Sequence, residues 1–481
     1  MISFSQIPTR MFTPGAYAEF DFSQLESGLI APRLRTVLFG HKVAAGIKAT
    51  NTLIRVNTAS EAIAYFGRGS MLARMVEKYR LNDKTVPLYA VAVPEPAGNA
   101  ATGTIVIGGT TAAGTLCLYV GGQKLPIQVN AAQATTATAT AIGAAINAAV
   151  DLPVTASVAA STVTLTARHI GTLGNGIDIR HSYRVDEAAP VGMTVTITAL
   201  SGGTGSADLT AALAAVGDEY FSAFVSPFAD ATNVALLETT LDGRSNAMEQ
   251  SDGLAFVPWS GTLSALQTLG DARNSEFSVP MGLKGCPAPD WERAAATVAP
   301  VILSAQADPG RPFQTLEVKG ILPPIGNDKF DRQERQYLLE SGVSTYTVYG
   351  ESLRIETMVT TRKTDSNGAP TDKLKLINAM LILFYLRFSW NNRIVSRYPR
   401  SKLADDGSTA PNTITPKIGT AEAVAIGLEW FDAGLIENYP AFKAAVVCER
   451  DKVNTKQLNL VLPPDLIDQA LVFATKIQPR G

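Results

Sequence analysis

Three short apolar runs carry the fold: FSAFV at 221–225, LAFVP at 254–258 and FSVPM at 277–281. Each is a handful of residues with little polar alternation, the pattern of a strand buried on both faces. Around them the periodicity is helical: from Asp208, from Ala231 to Leu241, from Thr262 to Asn274 and from Pro289 to Ala307. Strands and helices in strict alternation imply right-handed crossovers and a largely parallel sheet. Upstream, Thr36 to Phe39 and Pro87 to Val93 read as two further buried strands, with helices between them over Ser60 to Phe66 and Ser70 to Arg80 and with Ser60 and Ser70 as N-caps. The expected α/β domain is therefore discontinuous, 31–94 plus 206–320.

What interrupts it differs in composition. At Pro94, Glu95 and Pro96 the chain turns rich in Gly, Ala and Thr, and it stays so to about Gly205. Six strands are expected there, Thr104 to Ile107, Thr115 to Val120, Gln123 to Val129, Val163 to Ala167, Ile177 to Arg180 and Thr194 to Leu200, with one helix from Ala134 to Val150. This is a β-rich inserted domain, 95–205, closed by a flexible run from Ser201 to Gly205.

The last third, 321–465, reads as a mixed α+β domain. It contains a hairpin candidate (Tyr346 to Tyr349 with Arg354 to Thr360), a long helix from Asp372 to about Arg397 and a second helix from Thr420 to Asp432 ending at Gly434. A second hairpin candidate pairs Phe442 to Val447 with Gln457 to Leu462. Both ends of the chain look like extended arms, 1–30 and 466–481. In the first, Ala16, Ala18, Phe20 and Phe22 alternate with polar residues or tyrosine; in the second, Leu471, Phe473 and Ile477 share one face. No complementary strand follows the first arm at hairpin distance, so its mate is remote in this chain or in another copy. The fold class is α/β plus α+β: a sandwich-like α/β domain interrupted by a β insertion, a mixed C-terminal domain and terminal strand arms.

Composition narrows the function. A chain of 481 residues and 50.9 kDa holds about two to four domains. Its net charge of -2 and pI near 6.0 supply no basic field for nucleic acid or an anionic membrane. Cys117, Cys286 and Cys448 are odd in number and far apart, which suits reduced core residues better than a disulfide framework, and His41, His169 and His181 show no ligand spacing with them. MISFSQIPTR is no secretion signal, and the most apolar window, Leu374 to Trp390, is interrupted by Lys375, Asn378 and Arg387.

Catalytic signatures are missing. Neither a phosphate-binding loop ending in Gly-Lys-Ser/Thr nor a Gly-x-Ser-x-Gly elbow occurs. Gly202 to Asp208 reads as a linker, Gly171 to Gly176 as a tight turn between strands, and His169 and His181 as solvent-facing strand residues beside it. Asp405 and Asp406 read as a solvated turn. An α/β enzyme would gather polar residues at the C-terminal ends of its parallel strands. Here those ends read Ser226-Pro-Phe228, Pro258-Trp-Ser260 and Gly282-Leu-Lys284, which converge on no chemistry. The helix from Leu374 has apolar residues on several faces and reads as a core helix. Its basic end, Arg393, Arg397 and Arg400, answers either to the helix dipole or to an acidic neighbour docking there.

The whole arrangement resembles the contractile tail sheath proteins, particularly those of Mu-like phages. The matching stretches are Thr13-Pro-Gly-Ala-Tyr17, Gly171-Thr-Leu-Gly-Asn175, Asn454-Thr-Lys-Gln-Leu458, Leu462-Pro-Pro-Asp-Leu466 and Ile477-Gln478. The resemblance implies a structural subunit with no catalytic activity and no cofactor. It would stack as six-membered rings around a tail tube, in contact with further copies of itself and with baseplate and terminator proteins. It would sit in a virion tail after assembly in the host cytoplasm. It also implies exchanged strands: Ala18, Phe20, Phe22, Leu471, Phe473 and Ile477 as donors, and the hairpin containing Val446, Leu458, Leu460 and Leu462 as acceptor. Gly28 to Pro32 and Pro463 to Pro464 would be the hinges. The alternatives are another phage structural protein, from a baseplate or surface, and an α/β enzyme with a β accessory domain.

Overall fold

The computed structural model describes residues 34–479, together with Thr13, Gly15 and Leu29. The first expected arm, with Ala18, Phe20 and Phe22, lies outside the described residues.

The chain opens with β1 (Thr36–Gly40), β2 (Leu53–Arg55), α1 (Ala59–Phe66), α2 (Met71–Asn82) and β3 (Leu88–Ala92). A β module follows, with β4 (Ala100–Gly109), β5 (Gly114–Val120), β6 (Gln123–Val129), α3 (Thr135–Ala148), β7 (Val154–Ala159), β8 (Thr162–Ile170), β9 (Ile179–His181) and β10 (Met193–Ser201). Alternation then resumes: α4 (Thr210–Ala214), β11 (Ala223–Val225), α5 (Ala231–Arg244), β12 (Leu254–Ser260), α6 (Leu263–Asp271), β13 (Ser278–Leu283) and α7 (Asp290–Ala307). Next come β14 (Glu317–Val318), α8 (Arg332–Glu340), β15 (Thr345–Tyr349), β16 (Ser352–Thr357) and α9 (Ile377–Arg397). Last are β17 (Lys402–Leu403), β18 (Thr413–Ile414), α10 (Pro416–Asp432), β19 (Ile436–Glu437), α11 (Tyr439–Ala445), β20 (Val447–Arg450), β21 (Leu458–Val461) and β22 (Asp465–Leu466).

The central sheet has the order β13-β12-β11-β1-β3-β2, every pair parallel except the antiparallel edge strand β2. Its strands are drawn from both sides of the β module. Every residue of β1, β11 and β13 is buried, as a sheet covered on both faces requires. Side-chain caps start the helices where extended chain turns inward: Thr58 for α1, Ser70 for α2, Asp230 for α5 and Thr262 for α6. The cap of α1 is thus Thr58, two residues before the Ser60 expected, and the three-residue β2 and six-residue β7 are strands that the apolar pattern does not announce.

The module holds two antiparallel sheets, β10-β4-β8-β7 and β6-β5-β9. Ile105, Val163 and Leu165 on the first sheet and Ile142 and Ile146 on α3 form its buried face. The run Ser201 to Gly205 is not a flexible closure. Asn175 clamps Gly203 through paired hydrogen bonds of 2.9 and 3.0 Å, and Thr172 N–H donates to the Gly205 carbonyl at 3.0 Å. A Cβ on Gly203 would stand 2.6 Å from the Gly171 carbonyl oxygen, so glycine serves close approach there.

The described residues form two compact units, 34–384 with 468–479, and 385–467. Residues 321–384, expected with the C-terminal domain, fall with the α/β unit. The reason is direct pairing: a parallel bridge joins Met281 to Ser344, and Thr361 N–H donates to the Ser278 carbonyl at 3.1 Å. Helix α9 starts at Ile377, later than expected, because Leu374 takes a left-handed φ of 63°. No helix among the described residues is long and apolar enough to cross a membrane.

Candidate assembly surfaces

Unit 385–467 is built on α10. Thr415 caps it, accepting from Ile418 N–H, and Pro416 fills its first turn. Its buried face carries Gly419, Ala423, Ile426, Gly427 and Trp430. The two glycines are eight residues apart and let other elements approach closely. The Phe442 ring of α11 presses on Gly427, and the Cys448 side chain of β20 on Gly419. Trp430 closes the core, its indole N–H donating to Ser389 Oγ at 3.0 Å and its ring meeting Phe442 edge-on.

Here the expected hairpin needs correction. The stretch from Phe442 is not strand: Tyr439–Ala445 is helix, started by Pro440 and by Asn438 in a left-handed conformation, and Val446 is its C-cap. The strands are Val447–Arg450 and Leu458–Val461, in register Cys448 with Leu460 and Arg450 with Leu458. Leu458 and Leu460 share the face of Cys448, toward α10, and Leu462 lies just beyond the strand. The turn is held by Asp451, whose carboxylate accepts from Val453 and Asn454 N–H and from the Asn459 amide. Those bonds, Asn454 N–H foremost, hold its carboxyl below the ordinary range. Among the described residues neither β20 nor β21 has a second neighbour, so both outer edges are open. The other face shows Val447 and Val461, each more than half exposed.

After the hairpin the chain is held again. β22 pairs antiparallel with β19, Ile436 opposite Leu466, and Ile467 N–H donates to the Leu435 carbonyl at 3.2 Å. Pro463 and Pro464 therefore lead into an anchored strand, and the chain leaves this unit after Ile467. Residues 468–479 form no strand, although Gln469 Nε2 donates to the Gly310 carbonyl. Val472, Phe473 and Ile477 are 83%, 87% and 85% exposed, while Leu471 is 40% exposed. Three bare apolar side chains within six residues make an unusual surface for a polar solvent.

The basic end of α9 is taken up inside its own unit. Arg393 donates to Glu422 at 2.6 Å and to Glu429 at 2.7 Å, and Arg397 reaches Glu422 at 3.1 Å, as does the Tyr398 hydroxyl at 2.7 Å. Burial alone would raise the Glu422 carboxyl, but the Arg393 and Tyr398 hydrogen bonds and both arginine charges outweigh it and hold it below the ordinary range. Tyr398 is pushed up to about 12 by burial and by that carboxylate. Glu422 and Glu429 lie two turns apart on α10, a spacing legible in sequence once α9 and α10 are taken as neighbours. Arg400 is exposed.

A buried arginine stands at the C-terminal ends of β12 and β13. Arg293 on α7, fully buried, donates to the Met281 carbonyl at 2.8 Å, the Trp259 carbonyl at 3.2 Å and Asp290 at 2.7 Å. Beside it, burial pushes the Cys286 thiol up to about 11, far from a nucleophile's range. His169, expected to face solvent, is 8% exposed: β8 alternates, and His169 follows Val163, Leu165 and Ala167 on the buried side. His181 is partly buried, its Nδ1 2.9 Å from Ser182 Oγ. Among the described residues no cluster of His, Cys, Asp and Glu could hold a metal ion.

Comparison with known proteins gives one coherent picture. The family described as phage tail sheath protein central domain matches residues 202–361. The Mu-like prophage FluMu tail sheath protein of Haemophilus influenzae is 34% identical over 483 residues, 99% of either chain. The contracted helical sheath of the anti-feeding prophage shares the fold with a TM-score of 0.50 at 10% identity, over 98% of this chain and 99% of its own. The contracted sheath of the extracellular contractile injection system PVC has the same TM-score and identity, over 98% of both chains.

Proposed function

The chain belongs to the phage tail sheath family, and from that premise we propose that its copies stack as six-membered rings around a tail tube, shorten by repacking and drive the tube through a cell envelope. The partners are other copies, the tube protein and the baseplate and terminator proteins, in a virion tail assembled in the host cytoplasm. The observation that carries the reading is the pair β20–β21, a two-stranded sheet whose outer edges are both open among the described residues, together with the exposed apolar side chains of Val472, Phe473 and Ile477.

An open edge presents alternating N–H and C=O groups, and an extended segment from another copy satisfies them by strand addition. Six such hydrogen bonds contribute about 3–9 kcal/mol, against about 8–16 kcal/mol to fix eight residues of backbone. Burying four side chains adds about 6–12 kcal/mol, which brings the balance to near neutral or favourable. For the C-terminal donor those side chains would include Leu471, Phe473 and Ile477. Ala18, Phe20 and Phe22 would supply the second donor. Linked this way, rigid bodies can rotate between two lattices without separating, and the work of contraction comes from the difference in packing, with no nucleotide consumed.

Negative-stain microscopy of the purified full chain tests the proposal. Long hollow cylinders of fixed width are expected; only monomers or amorphous material, under conditions that polymerise a sheath, would oppose it.

A further inference from the structure

The N-terminus of α2 is completed by three separate stretches of chain. Ser70 Oγ accepts from Ala73 N–H at 3.2 Å, and the His41 carbonyl accepts from Leu72 N–H at 3.1 Å. The remaining donor, Met71 N–H, goes at 3.0 Å to Nε2 of His169, the penultimate residue of β8 in the β module. An accepting Nε2 places the ring proton on Nδ1, which donates to Glu95 Oε1 at 2.6 Å. The His41 ring lies 5.6 Å from the His169 ring, its own Nδ1–H donated to the Val93 carbonyl at 2.9 Å.

The contact lies on the seam between the module and the α/β layer. Glu95 sits in the segment entering the module and His169 near the end of β8, the module's fifth strand. One turn before Met71, Gly69 abuts the Val150 carbonyl and Arg68 pairs with Asp151 at 3.0 Å, both in the module. A single imidazole thus caps a helix of one layer from a strand of the other.

We propose that His169 is a proton-operated latch that seats the β module on the α/β layer. In the neutral ring Nε2 is an acceptor and the helix end is satisfied. Adding a proton to Nε2 turns it into a second donor facing Met71 N–H, and places a cation against the positive end of the α2 dipole and beside the buried His41. Glu95 favours the charged ring, but through Nδ1, so it draws the imidazolium away from α2 without restoring the lost acceptor. The other charges around the seam do not restore it either. Arg74 of α2 is committed to Glu292 and Glu77, Arg168 of β8 to the Leu152 carbonyl, and Asp230 to Ser206 and Asn233. Protonation therefore unseats the ring and loosens the module.

Hydrogen exchange of the full chain at about pH 7.5 and about pH 5, corrected for intrinsic rates, tests it. Protection of the amides of Met71 and Leu72 should fall about tenfold or more at the lower pH. His169→Gln offers an amide acceptor to Met71 and a donor to Glu95 but does not titrate, so its protection should be the same at both. Equal protection in the wild type, or the same loss in H169Q, would overturn the proposal. Should H169Q fail to fold, Glu95→Gln provides the decision: removing the carboxylate that favours the charged ring should move the loss to lower pH, and an unmoved midpoint would overturn it.

Discussion

Cys448 Sγ lies 2.6 Å from where a Cβ on Gly419 would stand, so the β20–β21 hairpin rests directly on the helix behind it. The first prediction follows from that contact. Gly419→Ala should lower the urea midpoint by an amount worth about 1–3 kcal/mol and reduce cylinder yield, because the hairpin must shift. Adding Cys448→Ala should recover most of the loss. Additive losses in the double variant would show that the two residues do not share a constraint.

The tail gives a prediction of the opposite kind. Phe473 and Ile477 are 87% and 85% exposed, so Phe473→Ser with Ile477→Ser should leave the monomer's stability within about 0.5 kcal/mol. Sedimentation should nevertheless find the variant unable to polymerise. Cylinders of normal length would remove the tail from the assembly scheme.

Glu422 collects Arg393, Arg397 and Tyr398 in a partly buried setting. Glu422→Gln removes the charge shared by Arg393, Arg397 and Tyr398 but leaves Arg393 paired with Glu429, so it should cost about 1–3 kcal/mol in chemical denaturation. The carboxyl is held below its usual 4.5, so its contribution is fully present above that pH and is lost as the pH falls through the depressed folded value. The variant's stability should accordingly change less than the wild type's at the acid end.

His41 titrates with the same sign for another reason. Burial is the main cause that drops it from 6.5 to about 4, so between those values the unfolded chain binds a proton that the folded chain refuses. Stability should fall by about 1.4 kcal/mol per pH unit as the pH drops through that window. His41→Asn should flatten the slope there; an unchanged slope would assign the acid sensitivity elsewhere.

Much of this architecture was legible because burial writes plainly in sequence. Runs such as Leu254 to Val257 have no polar partner face, and β12 runs through them as a buried strand. The cap Ser70 needs only a hydroxyl before an apolar period and is expected from the sequence, whereas Thr262, expected as the first residue of its helix, is its cap. What failed did so for local reasons. Phe442 to Val447 is apolar enough for a strand, but the Phe442 ring finds its place against Gly427 only in a helix, and that contact is fifteen residues away. His169 looked exposed because a histidine beside a glycine turn usually is; its donor, Met71 N–H, is 98 residues distant. The open edges of β20 and β21 were implied by resemblance alone, since no pattern within a strand reveals what does not pair with it.

In the proposed lattice β20 and β21 receive strands from other copies. A cryo-EM reconstruction of the assembled particle, with the chain traced from residue 1 to 481, tests it most directly. The expected result is a sheet in which each outer edge of the hairpin is bonded to a terminal segment of a different neighbour, one of them containing Phe473. Edges left bare in the particle, or filled by the ends of the same chain, would contradict it.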